Sequence, residues 1–114
     1  MPILHGIAPC FSVRDVAAAL AFYDRLGFAT RVYEHGGYGY ATLGAVEIHL
    51  GTRSKGSNIV PSTAYLFVDD ADAWAEQWIA AGVDVGGPED TDWSRREGVI
   101  IDPDGNILRF GSPL

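Results

Sequence analysis

The sequence predicts an α+β protein in which two βαβββ modules form a curved mixed sheet with a cleft on its inner face. The chief observation is an internal repeat, because residues 13–27 match residues 68–82 at an offset of 55 positions. Each copy has an apolar strand, an aspartate, a helical spacing of apolar residues and a closing glycine. One helix cannot cover both faces of a sheet, so the modules, residues 1–55 and 62–114, are expected to pair within one domain of 114 residues.

Each module contains one predicted helix that begins after an aspartate and ends before a glycine. Asp15 and Asp70 suit the N-cap position, because a carboxylate there accepts the free N–H groups of the first helical turn. Gly27 and Gly82 suit the left-handed position that follows a helix. The apolar residues with helical spacing are predicted to face the core: Val16, Leu20, Tyr23, Leu26, Ala71, Trp74, Ala75 and Trp78.

Further strands are predicted after each helix from alternating, β-branched and aromatic residues. In the first module they cover residues 28–34, 38–43 and 46–50, and a polar linker follows over residues 51–61. In the second module they cover residues 83–85, 96–101 and 106–110, with a loop over residues 86–92 and a turn over residues 102–105.

The chain is acidic, with a formal charge of −7 from 15 acidic and 8 basic residues. This balance argues against a nucleic-acid partner, because phosphate contacts need clusters of lysine and arginine. It favours cationic partners, which an acidic field attracts, although acidity can equally serve solubility alone. The single cysteine, Cys10, excludes an intrachain disulfide. The sequence shows no signal peptide and no apolar stretch that could span a membrane, so a cytoplasmic protein is predicted.

Aromatic side chains are the candidates for lining the cleft. Strand alternation places Tyr38 and Tyr40 on one face of their strand, and Tyr65 and Phe67 on one face of theirs. Trp93 follows an acidic loop that contains Glu89, Asp90 and Asp92. On sequence alone it is either a loop anchor on the core or an exposed plate on which a ligand stacks.

Three segments resemble the glyoxalase/bleomycin-resistance/dioxygenase (vicinal oxygen chelate) superfamily, and the first two of them resemble its bleomycin resistance branch in particular. They are the Ser-Val-Arg-Asp-Val stretch at residues 12–16, the Ala-Phe-Tyr-Asp-Arg-Leu-Gly-Phe stretch at residues 21–28 and the Asp-Pro-Asp-Gly-Asn turn at residues 102–106. The Asp-Trp-Ser-Arg-Arg stretch at residues 92–96 is similar to a further segment of that branch. In the family, aromatic side chains grip planar rings of the ligand, which favours the stacking role for Trp93.

The enzymes of this superfamily hold a divalent metal in the cleft with His and Glu side chains from four strands. At three of the matching positions this sequence has Ala8, Thr63 and Arg109, none of which is an effective ligand. The fourth strand offers His49, with Glu47 on the same face. Since a catalytic metal needs at least three convergent donors, the sequence predicts no metal, no cofactor and no enzymatic activity.

The resemblance therefore implies a resistance protein that sequesters a bleomycin- or phleomycin-like drug, cationic and aromatic, without reacting with it. The expected contacts are Tyr38, Tyr40, Glu47, His49, Tyr65, Phe67, Trp93 and Arg109. Two alternatives stay open: a metal-dependent lyase or dioxygenase of the same fold, and a binding protein for another aromatic metabolite.

The resemblance also implies a homodimer in which each cleft is built from both chains and an N-terminal strand crosses to the partner. Pro9 lies at the matching place, and a proline can bend or free a strand because it lacks an N–H. An ordinary edge-strand proline is the alternative explanation.

Overall fold

Two βαβββ modules follow each other along the chain in the computed structural model, which describes residues 1–52 and 60–114. The first module consists of β1 (Cys10–Val13), α1 (Val16–Arg25), β2 (Ala29–Val32), β3 (Tyr38–Leu43) and β4 (Val46–Thr52). The second consists of β5 (Thr63–Phe67), α2 (Ala71–Ala80), β6 (Gly86–Asp90), β7 (Arg95–Ile101) and β8 (Ile107–Pro113). The predicted α+β class and the two-module architecture are confirmed.

The mixed sheet consists of two four-stranded sheets, one in each module. The strand orders are β1-β4-β3-β2 and β5-β8-β7-β6, so the repeat seen in the sequence is also a repeat of topology. In each sheet the first strand lies parallel to the last strand of its module, and the remaining pairs are antiparallel. Most of the predicted linker, residues 53–59, lies outside the described residues.

The helix boundaries follow the predicted caps. The Asp15 carboxylate accepts a hydrogen bond from Ala18 N at 3.1 Å, and the Asp70 carboxylate accepts one from Ala73 N at 3.0 Å. Gly27 and Gly82 have positive φ values of 97° and 86°, which a glycine adopts without strain. Each helix therefore begins and ends within one turn of the residues that the sequence indicates.

The predicted strand over residues 83–85 is wrong, because the sixth strand is Gly86–Asp90, within the predicted loop. The backbone N–H of Val83 bonds to Trp78 O at 3.0 Å, so this residue closes the end of α2 instead of pairing with a strand. β6 is an edge strand whose register shifts between Gly86 and Glu89, and an edge with a bulge tolerates Gly and Pro. Strand β8 also continues to Pro113, beyond the predicted end.

Both helices pack on one face of the sheets and form a single core with them. Tyr23, Leu26 and Trp78 are almost completely buried, as their helical spacing predicts. Trp74 is only partly buried, and its indole N–H donates to the Asp69 carboxylate at 3.1 Å. Among residues 1–52 and 60–114, no helix is long and apolar enough to cross a membrane.

The two modules are joined on the helix side by hydrogen bonds between buried groups. The Trp78 indole N–H donates to Leu26 O at 2.9 Å, which links α2 to the end of α1. The Tyr23 hydroxyl donates to Asp102 Oδ2 at 3.0 Å, and Asn106 Nδ2 donates to Ser12 O at 3.1 Å. The turn over residues 102–105 is therefore part of the joint between the modules.

Candidate functional site

Strand alternation divides the side chains of each sheet between a helix side and an open face that points away from α1 and α2. In the second sheet Leu66, Leu108 and Phe110 are buried under α2, and their neighbours Tyr65 and Arg109 point the other way. The first sheet is divided in the same manner. The eight predicted site residues lie on the open faces: Tyr38, Tyr40, Glu47, His49, Tyr65, Phe67, Trp93 and Arg109.

The first open face carries a cluster of aromatic rings on β3 and β4. The Tyr38 hydroxyl lies 2.8 Å from His49 Nδ1, and Cys10 Sγ lies 3.4 Å from the same hydroxyl. The Tyr40 ring meets the His49 ring edge to face, with the centroids 5.0 Å apart. The contact with Cys10, together with burial, raises the pKa of Tyr38 to about 12, so this phenol stays protonated and keeps its hydrogen at neutral pH.

Two charged side chains flank these rings. Glu47 Oε2 lies 3.4 Å from the buried His49 Nε2, yet Nε2 has no hydrogen-bond partner among residues 1–52 and 60–114, so the carboxylate is close but poorly aligned for a hydrogen bond. The Arg31 guanidinium lies 4.2 Å from the centroid of the Tyr40 ring, which is cation–π geometry. Sequence reasoning missed Arg31 and Cys10, because it did not fix the register that pairs Arg31 with Tyr40 and Cys10 with His49.

The second open face is organised by a carboxylate that sequence reasoning missed, that of Glu97. Glu97 is 8% exposed, and its two oxygens accept hydrogen bonds from three predicted site residues. The Tyr65 hydroxyl donates at 2.7 Å, the Trp93 indole N–H at 3.1 Å and the Arg109 guanidinium at 2.8 Å. These bonds, that of Tyr65 foremost, hold the ionised form and keep the pKa of Glu97 below its ordinary value despite its burial.

The Trp93 ring is exposed, and a hydrogen bond holds its N–H edge in place. Its side chain is 61% exposed, while the indole N–H is held by the buried Glu97 carboxylate. The sequence left open whether Trp93 anchors its loop on the core or is exposed, and the structure shows the exposed position. Trp93, Glu97, Arg109 and Glu89 line a cavity of about 370 Å³.

Arg95 and Gly111 complete the second open face. Arg95 donates from Nε to the Tyr65 hydroxyl at 3.3 Å and from a terminal nitrogen to Gly111 O at 2.9 Å. Its guanidinium lies 5.4 Å from the centroid of the Phe67 ring, which is 79% exposed. Gly111 is required here, because a Cβ at this position would collide with the Tyr65 hydroxyl and displace it from Glu97.

The predicted residues therefore form two groups, one on each sheet. Tyr38, Tyr40, Glu47 and His49 make up the first group, and Tyr65, Phe67, Trp93 and Arg109 the second. The acidic residues near Trp93 also divide. Glu89 lines the cavity, whereas Asp90 bonds to Arg96, which also bonds to Asp72 of α2 on the helix side. Asp90 is therefore paired with Arg96 and does not line this cavity.

The candidate metal donors on the described open faces are His49 and Glu47 of β4. In residues 1–52 and 60–114, no group of three or more His, Cys, Asp and Glu side chains is placed to hold one. Strand β4 brings His49 and Glu47 together, but Arg109 is engaged with Glu97 and Thr63 lies opposite Ile107 in the sheet. Two donors from one strand do not make a metal centre.

Two βαβββ modules with open, aromatic sheet faces define a class of small-molecule-binding proteins and enzymes that share one scaffold. The sequence profile of the Glyoxalase/Bleomycin resistance protein/Dioxygenase superfamily matches residues 4–110, and the chain belongs to this superfamily. Among curated protein sequences, none matches significantly. Because the superfamily contains both enzymes and binding proteins, membership establishes the fold, and the activity has to be inferred from the residues of the site.

Solved structures agree with this assignment over the full length of the chain. A bleomycin resistance determinant encoded on the transposon Tn5 superposes with a TM-score of 0.83 at 23% identity, covering 96% of this chain and 98% of that one. A bleomycin-binding protein complexed with bleomycin gives 0.81 at 24% identity, with 97% and 100% covered. TnmS3, an antibiotic-binding protein from Streptomyces sp. CB03234, gives 0.80 at 27% identity, with 100% and 99% covered.

Proposed function

We propose that the protein sequesters an aromatic antibiotic of the bleomycin type, which it binds on the open faces without making or breaking a bond. The observation that carries the proposal is Trp93, an exposed ring fixed by the buried Glu97 beside a cavity of about 370 Å³. The similar structures include proteins described as binding bleomycin and an antibiotic, which supports the same use of the scaffold. In the cytoplasm, where we place the protein, such binding would keep a drug from its target.

The fixed tryptophan suits a ligand with flat rings. An aromatic ring stacks on an indole face, and stacking is strongest when the plate does not have to be ordered on binding. The bond between Trp93 and Glu97 supplies that order in the free protein. Glu89, which lines the same cavity, provides a carboxylate for the positively charged tail of a bleomycin-type drug.

Removing the Trp93 ring is expected to abolish most of the drug binding. The native protein should bind bleomycin or phleomycin with micromolar or tighter affinity, and the drug should change its tryptophan fluorescence. The Trp93→Ala variant should bind at least about tenfold more weakly, because the central stacking contact is lost. Calorimetric titration measures the affinities, and comparing the fluorescence of the native protein with that of the variants shows which tryptophan responds to the drug.

Trp74→Phe is the matched control, because Trp74 contacts Trp78 and lines, with Phe67, a separate cavity of about 300 Å³ that does not include Trp93. It should retain the affinity and the fluorescence change of the native protein. A native protein that gives neither heat nor a fluorescence change with the drug would contradict the proposed function. Equal affinities for the native protein and Trp93→Ala would contradict the role given to Trp93.

We also propose that the protein is a homodimer whose N-terminal segments cross between the two chains. Residues 1–9 belong to no helix or strand, and Ile3, Leu4 and Ile7 are 72%, 97% and 96% exposed. A groove of about 260 Å³ between β4 and β5 is lined mainly by apolar side chains, among them Val46 and Leu66, and is bordered by Glu47 and by Ile7 of the same chain. Burying three exposed apolar side chains of each chain in the partner's groove would stabilise the pair substantially.

A charge placed on the N-terminal segment is therefore expected to dissociate the dimer. Ile7→Asp should shift the protein from dimer to monomer at micromolar concentration, because a carboxylate cannot be buried in an apolar groove without a large cost. Sedimentation velocity measures the two species. Ile79→Asp is the control, since Ile79 is an exposed apolar residue of α2 on the opposite side, and it should remain dimeric. A monomeric native protein, or a dimeric Ile7→Asp variant, would contradict this proposal.

A further inference from the structure

The arginines of the second open face carry N–H donors that have no acceptor in the part of the chain that the structure describes. We propose that Arg109, beside Trp93, forms a subsite for hydrogen-bond acceptors (the acceptor subsite), which takes a planar aromatic group bearing an ionised carboxylate or phenolate, and that Arg95 adds positive charge from behind Tyr65. In this arrangement the ring of the ligand lies on Trp93 and its oxygen meets the Arg109 guanidinium. The inference rests on the proposed function and narrows the ligand class: an aromatic group with an acceptor oxygen lies against the centre of the face, and a positively charged tail lies away from it.

One guanidinium, that of Arg109, meets the Glu97 carboxylate, and a second, that of Arg95, bonds to the Tyr65 hydroxyl beside it. Arg109 uses one terminal nitrogen for Glu97 Oε1, and Arg95 uses Nε for the Tyr65 hydroxyl and one terminal nitrogen for Gly111 O. A guanidinium has five N–H donors and no acceptor, so within the described residues both groups keep donors without a protein partner. The Arg109 side chain is 47% exposed, and its remaining donors are accessible.

The acceptor oxygens of Glu97 and Tyr65 already receive hydrogen bonds from the protein, so the face favours ligands that accept hydrogen bonds. Glu97 is 8% exposed and already accepts from Tyr65, Trp93 and Arg109. The Tyr65 hydroxyl donates to Glu97 and accepts from Arg95. What the cluster still offers a ligand is donors and positive charge, and the complement of such a surface is an anionic or acceptor-rich oxygen.

Trp93 and Arg109 are close enough to act on the same ring system. Both bond to the one carboxylate of Glu97, Trp93 through Oε2 and Arg109 through Oε1, and both line the same cavity. A bicyclic ring that stacks on the indole therefore reaches the guanidinium with an oxygen at its edge. Glu97 orients both groups and serves as a positioning residue.

A cation is disfavoured at the centre of the face for a second reason. The Tyr65 and Phe67 rings, which would attract it, are already next to an arginine of the protein, since the Arg95 guanidinium lies 5.8 Å and 5.4 Å from their centroids. A positive group of a ligand is therefore expected at the edge of the cavity, where Glu89 lies on the edge strand β6.

Three ring-matched probes test the subsite by calorimetric titration: 2-naphthoate, 2-naphthalenemethanol and 2-naphthylmethylammonium. The rings are identical, so differences in affinity report the charge that the face prefers. The carboxylate is expected to bind about tenfold or more tightly than the ammonium, with the alcohol between them, because charge-assisted hydrogen bonds are the strong ones. Raising the salt concentration should reduce the difference.

Neighbouring arginines on β7 provide a matched control, since Arg95 is on the open face and Arg96 bonds to Asp72 on the helix side. Arg109→Gln should remove most of the preference for the carboxylate, and Arg95→Gln should reduce it. Arg96→Gln makes the same charge change one residue away and should leave the preference intact. If Arg109→Gln does not fold, the Glu97→Gln/Arg109→Gln variant avoids an unpaired buried carboxylate and should also show no preference.

The outcomes separate this inference from the proposed function. An ammonium probe that binds as tightly as the carboxylate overturns the acceptor subsite, and so does the absence of binding by all three probes. In either case, binding of bleomycin that depends on Trp93 would leave the proposed function standing. A preference for the carboxylate that Arg96→Gln abolishes, or that Arg109→Gln does not change, also overturns the inference.

Discussion

Replacing Trp78 by alanine is expected to lower the free energy of unfolding by about 3–5 kcal/mol, the usual cost of deleting a large aromatic side chain from a core. Trp78 is 1% exposed, and its ring packs against Phe110 with the centroids 4.9 Å apart. Its indole N–H also donates to Leu26 O at the end of the other helix. The substitution therefore creates a cavity and removes a hydrogen bond between the modules, a large loss for a domain of marginal stability.

Equilibrium unfolding in urea, followed by far-UV circular dichroism, measures this loss. Ile79 is the matched control, because it follows Trp78 on the same helix and is 56% exposed. Ile79→Ala should change the stability by less than about 0.5 kcal/mol. Trp78→Phe should fall between the two, since it keeps part of the ring volume but not the N–H. A loss below about 1 kcal/mol for Trp78→Ala would show that the two modules do not share one core.

Replacing Asp102 by alanine is expected to cost about 3–5 kcal/mol, because it leaves buried donors without an acceptor. Asp102 is 4% exposed. Its Oδ1 accepts from the backbone N–H groups of Asp104 and Asn106 at 2.9 and 2.8 Å. Its Oδ2 accepts from the Tyr23 hydroxyl and from Asn106 Nδ2, both at 3.0 Å. One carboxylate thus shapes its own turn and binds the helix of the other module.

A double-mutant cycle with Tyr23→Phe isolates the bond between the modules. Burial, followed by the nearby carboxylate, raises the pKa of Tyr23, so its hydroxyl stays a donor across the whole working range of pH. The coupling between Asp102→Ala and Tyr23→Phe should be about 1–2 kcal/mol in urea unfolding. Asp84→Ala, at an exposed aspartate, is the control and should be nearly neutral. Additive effects of Asp102→Ala and Tyr23→Phe would refute the coupling.

The helices could be predicted accurately because their signals are local. An aspartate that caps the first turn and a glycine that ends the last one act within four residues of the backbone that they stabilise. The structure confirms both at Asp15 and Asp70 and at Gly27 and Gly82. The sixth strand could not be predicted in the same way. Its residues have poor strand propensity, and they form a strand because β7 offers an edge to pair with.

The candidate site shows the same division. Alternation along a strand correctly indicated that Tyr38 and Tyr40 share a face, since a period of two is a property of the strand itself. It did not indicate Glu97, whose importance comes from three donors contributed by different parts of the chain. The net charge of −7 suggested a cationic ligand, yet the buried Glu97 carboxylate of the second open face is paired with Arg109, and Arg95 bonds to the Tyr65 hydroxyl beside it. Net charge is a sum over the chain and carries no information on position.

The amino-acid sequence by itself determined the two-module repeat, the helix ends and the side chains that share a strand face. Each of these follows from interactions between residues close in the chain. Only the tertiary structure decided which strands become neighbours, that Glu97 joins Tyr65, Trp93 and Arg109, and that the turn at Asp102 fastens one module to the other. These contacts depend on register and packing between distant segments, and their free energy exists only once the whole core has formed.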